Sequence, residues 1–441
     1  MDTSTVVALG TLLGSLIFVA FLTYMRPSRF EARLDRRSEF PVSISKRRPE
    51  SIQVLVLGDI GRSPRMQYHA ISIAKAGGNV ELIGYLESEP HPDLLSSPSV
   101  TIISLPPPPQ FLQTTNKLLF LLFGPLKNPP AIPTLAVAQF VCLLRNTHLL
   151  IDWHNFGWSI LALKLGERHL LVRIAKKYEF FFGRRATANF TVTDAMARVL
   201  KEDHNLRSPI LPLHDRPPSQ FQPLTPAQRG TFLHQLPLTA SKASEIIQGS
   251  TRLLVSSTSW TPDEDFSLLL DALVRYSEAA SSASLPRILA VITGKGPQKK
   301  YYLSRLAELV AAGRLAHVSV LTAWLSNADY AALLGAADLG VSLHMSSSGV
   351  DLPMKVVDMF GAGLPVVGWS QFEAWKELVK EGENGIGFAS AEELGDSLIE
   401  LFDRQSRRLQ ILREGAVREG IRRWDDEWRP VAGRVLGLLD Q

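Results

Sequence analysis

Short apolar runs alternate with helical patterns along most of this chain, and the alternation occurs in two rounds. The first round begins at residues 51–57 (SIQVLVL) and the second at residues 252–258 (RLLVSST). Each run is apolar throughout, as are strands that are buried on both faces of a parallel sheet. Strands that alternate with helices in this way predict a parallel sheet covered by helices. We therefore expect an α/β protein with two Rossmann-like domains that face a cleft.

Between the two rounds lies a stretch that breaks the alternation. Proline and glutamine are frequent from Pro217 to Pro237, without a periodic pattern, which predicts a linker or a surface insertion. Ligands of such domains bind at the carboxyl ends of the parallel strands, so the functional residues should lie there. The predicted organisation is a first domain at 51–215, a linker at 216–250, a second domain at 251–420 and a C-terminal helix at 421–441.

The first 50 residues carry a hydrophobic segment followed by a basic one. Val6 to Met25 is twenty residues without a charge, enough for a helix to span the ~30 Å hydrocarbon core of a bilayer. Residues 26–48 then hold eight basic and three acidic side chains. A cleaved signal peptide is the alternative, but its basic residues would precede the apolar run. We expect a retained transmembrane helix with both domains in the cytosol, because basic flanks stay on that side.

The net charge of +4 comes from this basic segment, since the rest of the chain is close to neutral. A protein body without a broad basic surface is not typical of a nucleic-acid-binding protein. The single cysteine, Cys142, excludes an intrachain disulfide and a zinc site built from several cysteines. We predict no metal and no cofactor.

Two loops of the first half follow strands and carry candidate functional residues. In GDIGRSPR, residues 58–65, a strand meets a helix whose first amides could bind an anion, and Arg62 and Arg65 could bind a phosphate. The alternative is a tight turn with solvated arginines. In DWHNFGW, residues 152–158, His154 could act as a general base because its pKa is near neutrality. A lone histidine is more often structural, but the neighbouring Asn155 and two tryptophans favour a functional site.

Two loops of the second half have the small residues that a ligand needs for close approach. SSTSWTPDEDF, residues 256–266, includes Ser257 and places Trp260 where it could line a pocket. Its acidic run at 263–265 is typical of the first turn of a helix rather than of a metal-binding motif. In GKGP, Gly294 and Gly296 allow close approach, and Lys295 could neutralise a diphosphate.

The most specific pattern is SSSGVDLPMKVVDMFGAGLPVV, residues 346–367, which follows His344 at the end of a strand. Its hydroxyl-rich loop leads to Pro353, a residue favoured at a helix start. The amides of that first turn, together with Lys355, would form a diphosphate site. Asp358 lies further along the same helix, where it could bind ribose hydroxyls or form a salt bridge. This combination predicts a sugar-nucleotide site.

Five stretches together resemble a known enzyme family: GDIGRSPRMQYHA, NPPAIPTL, DWHNFGW, SSTSWTPDEDF and SSSGVDLPMKVVDMFG. They resemble glycosyltransferases of the GT-B fold and, among them, are similar to the mannosyltransferases of the dolichol-linked oligosaccharide pathway. The resemblance covers nearly the whole chain, including the N-terminal anchor. Asp351 and Asp358 stand seven positions apart, which departs from the family spacing and leaves the role of Asp351 open.

The resemblance implies an inverting enzyme at the endoplasmic reticulum membrane. It would transfer mannose from GDP-mannose to GlcNAc2-diphosphodolichol, a lipid-linked chitobiose, and form a β-1,4 linkage. Such an enzyme could also bind other mannosyltransferases of the pathway. The catalytic base would be His154 or Asp59, and the donor diphosphate would be held by Lys295, Lys355 and helix amides. The predicted acceptor-binding residues are Gly61, Arg62, Ser63, Arg65 and Asn155. The predicted donor-binding residues are Ser257, Trp260, Gly294, Lys295, Gly296, His344, Ser347, Ser348, Gly349, Asp351, Lys355 and Asp358.

One junction departs from the expected alternation. The apolar helical pattern at 111–127 runs directly into another at 128–144, and the two meet at Gly124-Pro125 without a strand between them. The resemblance implies that relatives have an additional stretch, including a strand, before NPPAIPTL. We therefore hypothesise that a strand is missing here and that the activity and stability of the first domain are compromised. Separately, the apolar residues 118–123 could dip toward the bilayer, and a buried core helix is the alternative interpretation.

Two other kinds of function remain open from the sequence. A membrane-tethered scaffold of the same fold could bind sister transferases without catalysis, and Asp358→Ala or Lys355→Ala would then leave its role intact. A nicotinamide-dependent oxidoreductase is disfavoured, because the glycine pattern at 58–63 is not GxGxxG and because a second nucleotide-type half follows.

Overall fold

The computed structural model of the protein describes residues 51–106 and 134–439. The predicted anchor at 6–25, the basic tether and the junction at Gly124-Pro125, where a strand is predicted to be missing, lie outside these residues. Within the described part of the chain, no helix combines the length and the apolar character that crossing a membrane requires.

Among its described residues, the first domain has six parallel strands, and each lies where an apolar run predicts it. They form two three-stranded sheets, ordered β1-β2-β3 and β4-β5-β6. The strands are β1 (Ile52–Asp59), β2 (Val80–Tyr85), β3 (Val100–Ser104), β4 (Leu150–Trp153), β5 (Ala188–Thr191) and β6 (Ile210–Pro212). The helices are α1 (Pro64–Lys75), α2 (Pro92–Ser96), α3 (Thr134–Arg145), α4 (Gly157–Leu165), α5 (Leu170–Gly183) and α6 (Asp194–Glu202).

The two sheets of the first domain are not joined through β1 and β4 within the described ranges. The exposed fraction of Leu55 on β1 is 46%, and that of Leu57 is 36%. Helix α3 is rich in apolar residues, yet none of them is buried. A parallel strand in a sheet covered by helices is normally buried on both faces. As far as the described residues show, the single sheet predicted for this domain is therefore interrupted between β1 and β4.

The second domain is one six-stranded parallel sheet, ordered β12-β11-β10-β7-β8-β9. Its strands are β7 (Thr251–Ser257), β8 (Arg287–Thr293), β9 (Val318–Ala323), β10 (Leu339–Ser342), β11 (Val366–Trp369) and β12 (Gly385–Phe388). The sequence predicts all of them except β12, whose four residues include two glycines. The helices are α7 (Pro226–Gln235), α8 (Ala243–Gln248), α9 (Ser267–Ala283), α10 (Lys299–Ala311), α11 (Asn327–Ala336), α12 (Met354–Gly361), α13 (Trp375–Leu378), α14 (Ala391–Phe402) and α15 (Arg408–Gly420).

The strand order of the second sheet fixes where its ligand site lies. The chain runs outward from β7 through β8 and β9, and then returns to β10 on the other side of β7. Ligands of open parallel sheets bind at such a reversal, beyond the carboxyl ends of the strands. The two loops that meet there are 258–266 after β7 and 343–353 after β10. Both belong to the stretches that the sequence singles out.

The predicted linker at 216–250 is wrong in its structural character, because much of it is helical. Helix α7 begins with a capping box in which Thr225 and Gln228 exchange hydrogen bonds, and Pro226 occupies a first-turn position. Both features are standard signals for the start of a helix, although the predicted linker contains no helix. Leu233 on α7 is fully buried, and Arg229 donates a hydrogen bond to the carbonyl of Ala336. The segment therefore packs as part of the second domain.

The C-terminal residues cross back to the first domain. Helix α16 (Trp424–Trp428) continues into a π-helical segment at Arg429–Gly433. The Trp428 side chain is fully buried in one cluster with Val56 and Ile60 of the first domain. Burying such a large aromatic ring stabilises the contact between the two domains. This C-terminal segment thus helps to fix the position of the two domains relative to each other.

Candidate active site

Two glycines bring the loop after β8 against the loop after β7. A β-carbon at Gly294 would lie 1.8 Å from the carbonyl oxygen of Thr258, and one at Gly296 would lie 1.7 Å from that of Ser259. Neither position accepts a side chain without moving the backbone, and Gly294 also has a φ of +129°. Between them, Lys295 is exposed and its ammonium lies 4.1 Å from the ring centre of Trp324. The predicted GKGP loop therefore borders the strand-order reversal.

The carboxylate of Glu264 holds Lys355 at the start of α12, a role that the sequence pattern does not predict. Glu264 is 3% exposed, and it accepts hydrogen bonds from the Thr258 hydroxyl at 2.7 Å and from the amide of Ser259. The same carboxylate forms an ion pair with the Lys355 ammonium. The acidic run at 263–265 does not lie in the first turn of α9, so that prediction is wrong: Asp265 accepts the Ser267 amide from a position before the N-cap residue Phe266. Glu264 pairs with Lys355 and positions it.

The hydroxyl-rich loop after β10 is organised around Asp351. This carboxylate is 5% exposed and accepts hydrogen bonds from the hydroxyls of Ser346 and Ser348, the latter at 2.7 Å. His344 Nε2 lies 2.9 Å from the other carboxylate oxygen. Burial raises the pKa of Asp351, but these hydrogen bonds and the histidine outweigh burial and lower it. Asp351 therefore shapes the loop, and Gly349 permits its turn with a φ of +77°.

The same loop contacts the first domain across the cleft. The Ser347 hydroxyl lies 3.2 Å from Asn155 Nδ2 and 3.2 Å from the Ser159 hydroxyl. The Thr193 hydroxyl donates to the carbonyl of Val350 at 2.6 Å. Asn155 comes directly after His154 in the chain. The structure thus brings the predicted donor loop next to the predicted catalytic histidine.

Asp358 is enclosed where the two domains meet. Burial, with the added effect of the Asp215 charge, raises the pKa of Asp358 to about 8. Its charge in turn adds to burial in raising the pKa of Tyr68, on α1 of the first domain, and that of Tyr330. A carboxyl group with this pKa is mostly protonated at neutral pH and can donate as well as accept hydrogen bonds. Both capabilities suit contacts with sugar hydroxyls.

Asp152, at the end of β4, is the hub of a buried ionic cluster. Its two oxygens accept a bidentate pair of hydrogen bonds from Arg65, at 2.8 and 2.9 Å. His69 Nε2 and His154 Nε2 each lie 3.0 Å from its Oδ2 atom. Burial raises the pKa of Asp152, but the Arg65 charge and the hydrogen bonds from His154 and His69 outweigh burial and hold it well below the ordinary value. Asp152 is therefore ionised over the physiological pH range.

The hydrogen bonds of this cluster define the tautomers of its histidines. Trp428 Nε1, which can only donate, lies 3.0 Å from His69 Nδ1, so His69 carries its proton on Nε2 and donates it to Asp152. The pKa of His69 is lowered by burial, which keeps its ring neutral. His154 Nε2 faces the same carboxylate, which can only accept, so Nε2 carries a proton and the lone pair of the neutral ring is on Nδ1. The His154 side chain is 40% exposed, unlike His69. An imidazole oriented by a carboxylate in this way is the arrangement of a general base.

Arg65 does not lie where an acceptor contact would require it. Its side chain is almost fully buried, and its third hydrogen bond goes to Asp215 at 2.6 Å. With both carboxylates engaged, the guanidinium has no face turned toward the cleft. The prediction that Arg65 binds an acceptor phosphate is therefore corrected: Arg65 is a buried ionic link between β4 and the segment after β6.

The turn after β1 is held by its own hydrogen bonds. Asp59 accepts the amides of Gly61, Glu87 and Ser88, at 3.0 to 3.3 Å. Burial raises the pKa of Asp59, but these hydrogen bonds outweigh burial and lower it, so that Asp59 is a weaker base than an ordinary aspartate. Of the two predicted bases, the geometry favours His154. In the same turn, Ser63 donates to the Asp59 carbonyl, and the exposed Arg62 side chain lies 3.5 Å from the Asp59 carboxylate and donates to the Ser88 hydroxyl.

Two residues predicted to contact the donor are buried instead. Trp260 is 1% exposed and packs against Phe266, with ring centres 4.6 Å apart, so the expectation that it lines a pocket is wrong. A large aromatic side chain in a tight turn finds more apolar contact in the core than at the surface. The Ser257 hydroxyl is bonded to Tyr330 at 2.9 Å and to Thr293 at 3.1 Å, which leaves it no direct access to the cleft.

Comparison with known proteins connects this geometry to glycosyl transfer. The family model described as "Glycosyl transferases group 1" matches residues 250–404, which is most of the second domain. A sucrose-phosphate synthase from Thermosynechococcus elongatus aligns with a TM-score of 0.60 at 14% identity, covering 89% of this chain and 98% of its own. That likeness concerns the fold alone, and the fold is the GT-B fold that the sequence predicts.

Two relatives are similar over nearly the whole chain. The chitobiosyldiphosphodolichol β-mannosyltransferase of Arthroderma benhamiae is 52% identical over 381 residues, covering 80% of this chain and 85% of the relative. The UDP-glycosyltransferase TURAN of Arabidopsis thaliana is 38% identical, covering 87% of this chain and 96% of the relative. Because 381 exceeds 80% of the 441 residues here, the first alignment includes positions of the relative that have no counterpart in this chain.

Proposed function

This chain belongs to the family of chitobiosyldiphosphodolichol β-mannosyltransferases, and we propose that it transfers mannose from GDP-mannose to GlcNAc2-diphosphodolichol with inversion. The observation that carries the proposal is that a candidate general base and a candidate diphosphate-binding site face each other across one cleft. His154, oriented by Asp152, lies on the first domain, and the Ser347 loop and the start of α12 with Lys355 face it from the second.

Inversion at the anomeric carbon requires one direct displacement. Different residues of the cleft accept the proton, stabilise the leaving group and bind the donor. The Nδ1 atom of His154 takes the proton of the acceptor hydroxyl as that oxygen bonds to the anomeric carbon. The bond from the anomeric carbon to the phosphate oxygen breaks in the same step, and GDP leaves with the electron pair. Lys355 and the first amides of α12 stabilise the charge that develops on the departing diphosphate. Asp358 holds the ribose hydroxyls of the donor.

A transfer assay with defined substrates tests the reaction and the donor. We expect labelled mannose to pass from GDP-mannose to lipid-linked chitobiose, and UDP-activated sugars to give little or no product. The UDP-based name of the plant relative makes this donor comparison necessary. Absence of transfer from GDP-mannose, with a competent relative as positive control, would contradict the proposed function. Efficient transfer from a UDP-sugar would contradict the donor assignment alone.

Lys355 and Glu264 allow a sharper test of the donor side. Lys355→Met is expected to lower kcat about 10²–10³-fold, because it removes a donor to the developing diphosphate charge. Glu264→Gln should lower kcat less and raise the KM for GDP-mannose, since Lys355 loses the charge that positions it. Steady-state kinetics with varied GDP-mannose measures both effects. Lys376→Met, an exposed lysine on α13, is the matched control and should behave as the unmodified chain.

The membrane topology is also part of the proposal. It is supported by the uncharged segment at 6–25 and by the basic residues that follow it. The chain would be a single-pass protein of the endoplasmic reticulum with both domains in the cytosol, where its donor is found. Protease treatment of sealed microsomes should digest the domains and leave an N-terminal tag protected. Digestion of the tag together with the domains would contradict this topology.

A non-catalytic scaffold of the same fold is not favoured. Binding sister enzymes does not require an ionised aspartate that orients a partly exposed histidine in the cleft, nor a lysine held at a helix start by a buried glutamate. The relatives are themselves named for a transferase activity.

A further inference from the structure

An exposed hairpin tip joins α4 to α5 in the first domain. Eight consecutive residues, 163–170, are all exposed, and they are followed by two more exposed residues, Arg173 and Ile174. Four aliphatic side chains of the tip have exposed fractions between 41% and 65%: those of Leu163, Leu165, Leu170 and Ile174. Large aliphatic residues grouped at the end of a projecting element indicate an interaction surface. We call residues 163–174 the α4–α5 tip.

The tip is not an unfilled part of the core. Further along α5, Val172, Ala175 and Phe180 are buried, so the inner face of that helix is already packed. Gly166 in the turn has a φ of +82°, and a β-carbon there would meet nothing within 4 Å. The turn therefore projects into open space, with its aliphatic side chains directed away from the domain.

The charge of the tip is as distinctive as its apolar character. Lys164, Arg168 and Arg173 are exposed and have no ion-pair partner among the described residues. Across residues 163–177, Glu167 is the one acidic residue. Basic side chains that surround exposed aliphatic ones match a bilayer interface, where lipid phosphates attract the charges and the acyl boundary receives the aliphatic groups.

The hairpin also places the tip at a defined distance from the catalytic histidine. The buried Glu179 near the end of α5 accepts the amides of Gly157 and Trp158, at 3.0 and 3.2 Å, so the start of α4 packs beside the end of α5. The tip is thus at the opposite end of the hairpin from His154. Nine helical residues in α4 correspond to ~13 Å.

We propose that the α4–α5 tip docks onto the surface of a bilayer that contains anionic lipids. The apolar side chains enter the interface, and Lys164, Arg168 and Arg173 bind lipid phosphates. Docking in this way would place the contact about one length of α4, ~13 Å, from the end of the hairpin that carries His154. The tip would then set the distance between the cleft and the membrane. Vesicle contact itself does not depend on the proposed reaction.

Fluorescence quenching in reconstituted vesicles tests the docking. The full chain, in a Cys142→Ser background, carries an environment-sensitive probe at Leu165→Cys or, as matched control, at Tyr301→Cys on an exposed position of the second domain. Vesicles contain phosphatidylcholine with or without 30 mol% phosphatidylserine (about a third of the lipid, enough for a strongly negative surface) and a lipid-borne quencher. No donor or acceptor is present, so a failure of the proposed reaction leaves this readout unaffected.

We expect strong quenching at Leu165→Cys in the anionic vesicles and little at Tyr301→Cys. Reversing three charges, in K164E/R168E/R173E, should raise the fraction of anionic lipid needed for half-maximal quenching several-fold. These side chains are exposed, so the variant should keep the thermal stability of the unmodified chain. Equal, weak quenching at the two labelled positions would overturn the proposal, whether the tip stays in water or binds a protein instead.

Discussion

Replacing His154 with alanine is expected to lower kcat for mannose transfer by a factor of about 10²–10⁴, the usual contribution of a general base. The imidazole is the one partly exposed group of the Asp152 cluster, and its Nδ1 atom is the free base in the cleft. Loss of a side chain that is 40% exposed should leave the melting temperature nearly unchanged. Steady-state kinetics and a thermal melt on the same preparation separate the two effects.

Two comparisons sharpen that test. Added imidazole should restore part of the activity of His154→Ala, because a small base can occupy the vacated space. His234→Ala, at an exposed histidine on α7, is the matched control and should be fully active. Unchanged kcat in His154→Ala would show that another group is the base, and Asp59 would then be the next candidate.

Asp152→Asn should lose activity and stability together. It keeps the shape of the side chain but removes the charge that orients His154 and pairs with Arg65. Breaking a buried ion pair by removing one partner costs roughly 3–5 kcal/mol, because the other charge stays buried. The contrast with His154→Ala therefore distinguishes the orienting residue from the base.

Restoring a strand before Asn128 is expected to raise both stability and activity. The inserted stretch would come from the Arthroderma relative, whose alignment contains positions that are absent here. The junction itself lies outside the described residues, so the prediction rests on the interrupted sheet on either side of it. β1 exposes Leu55 and Leu57, and β4 does not pair with β1. A parallel strand between β1 and β4 would form backbone hydrogen bonds with both strands and cover Leu55 and Leu57.

The expected size of the gain follows from the area covered. Full burial of a leucine contributes about 1.5–3 kcal/mol, and the exposed parts of Leu55 (46%) and Leu57 (36%) together amount to slightly less than one leucine, so a gain on the order of 1–2.5 kcal/mol is expected. For a domain of this size that corresponds to roughly 2–10 °C in melting temperature. Thermal melts and mannose transfer of the two forms measure the outcome. A scrambled insert of equal length is the control. Equal solubility and equal mannose transfer in the original and restored forms would contradict the missing-strand hypothesis.

Local patterns were sufficient to predict most of the architecture. A run such as RLLVSST predicts a buried strand because its apolar side chains follow one another on both faces. The same reasoning missed β12, whose two glycines bury little side-chain surface, and it treated α7 as a linker although Thr225 and Gln228 carry a helix-start signal. These errors lie where a pattern is short or where proline and glutamine mask it.

The candidate site was predicted less completely. His154 and Lys355 were singled out because each follows or begins a predicted element at the expected edge. Asp152 and Glu264 were not given their roles, because nothing in their neighbours along the chain shows which distant group they hold. Trp260 and Arg65 were interpreted as exposed, although one is a core residue and the other a buried ion pair.

What the sequence determined by itself is therefore the order of strands and helices and the edge at which functional residues gather. Side-chain periodicity is a property of neighbours two to four positions apart, so the sequence displays it directly. The tertiary structure decided which charges pair: Arg65 lies 87 positions from Asp152 and 150 from Asp215, yet its hydrogen bonds join all three. Burial makes an unpaired charge costly, so such groups are placed by whichever partner the fold brings near. His154, the proposed catalytic base, is oriented by Asp152, one of those partners, and only the three-dimensional structure shows this contact.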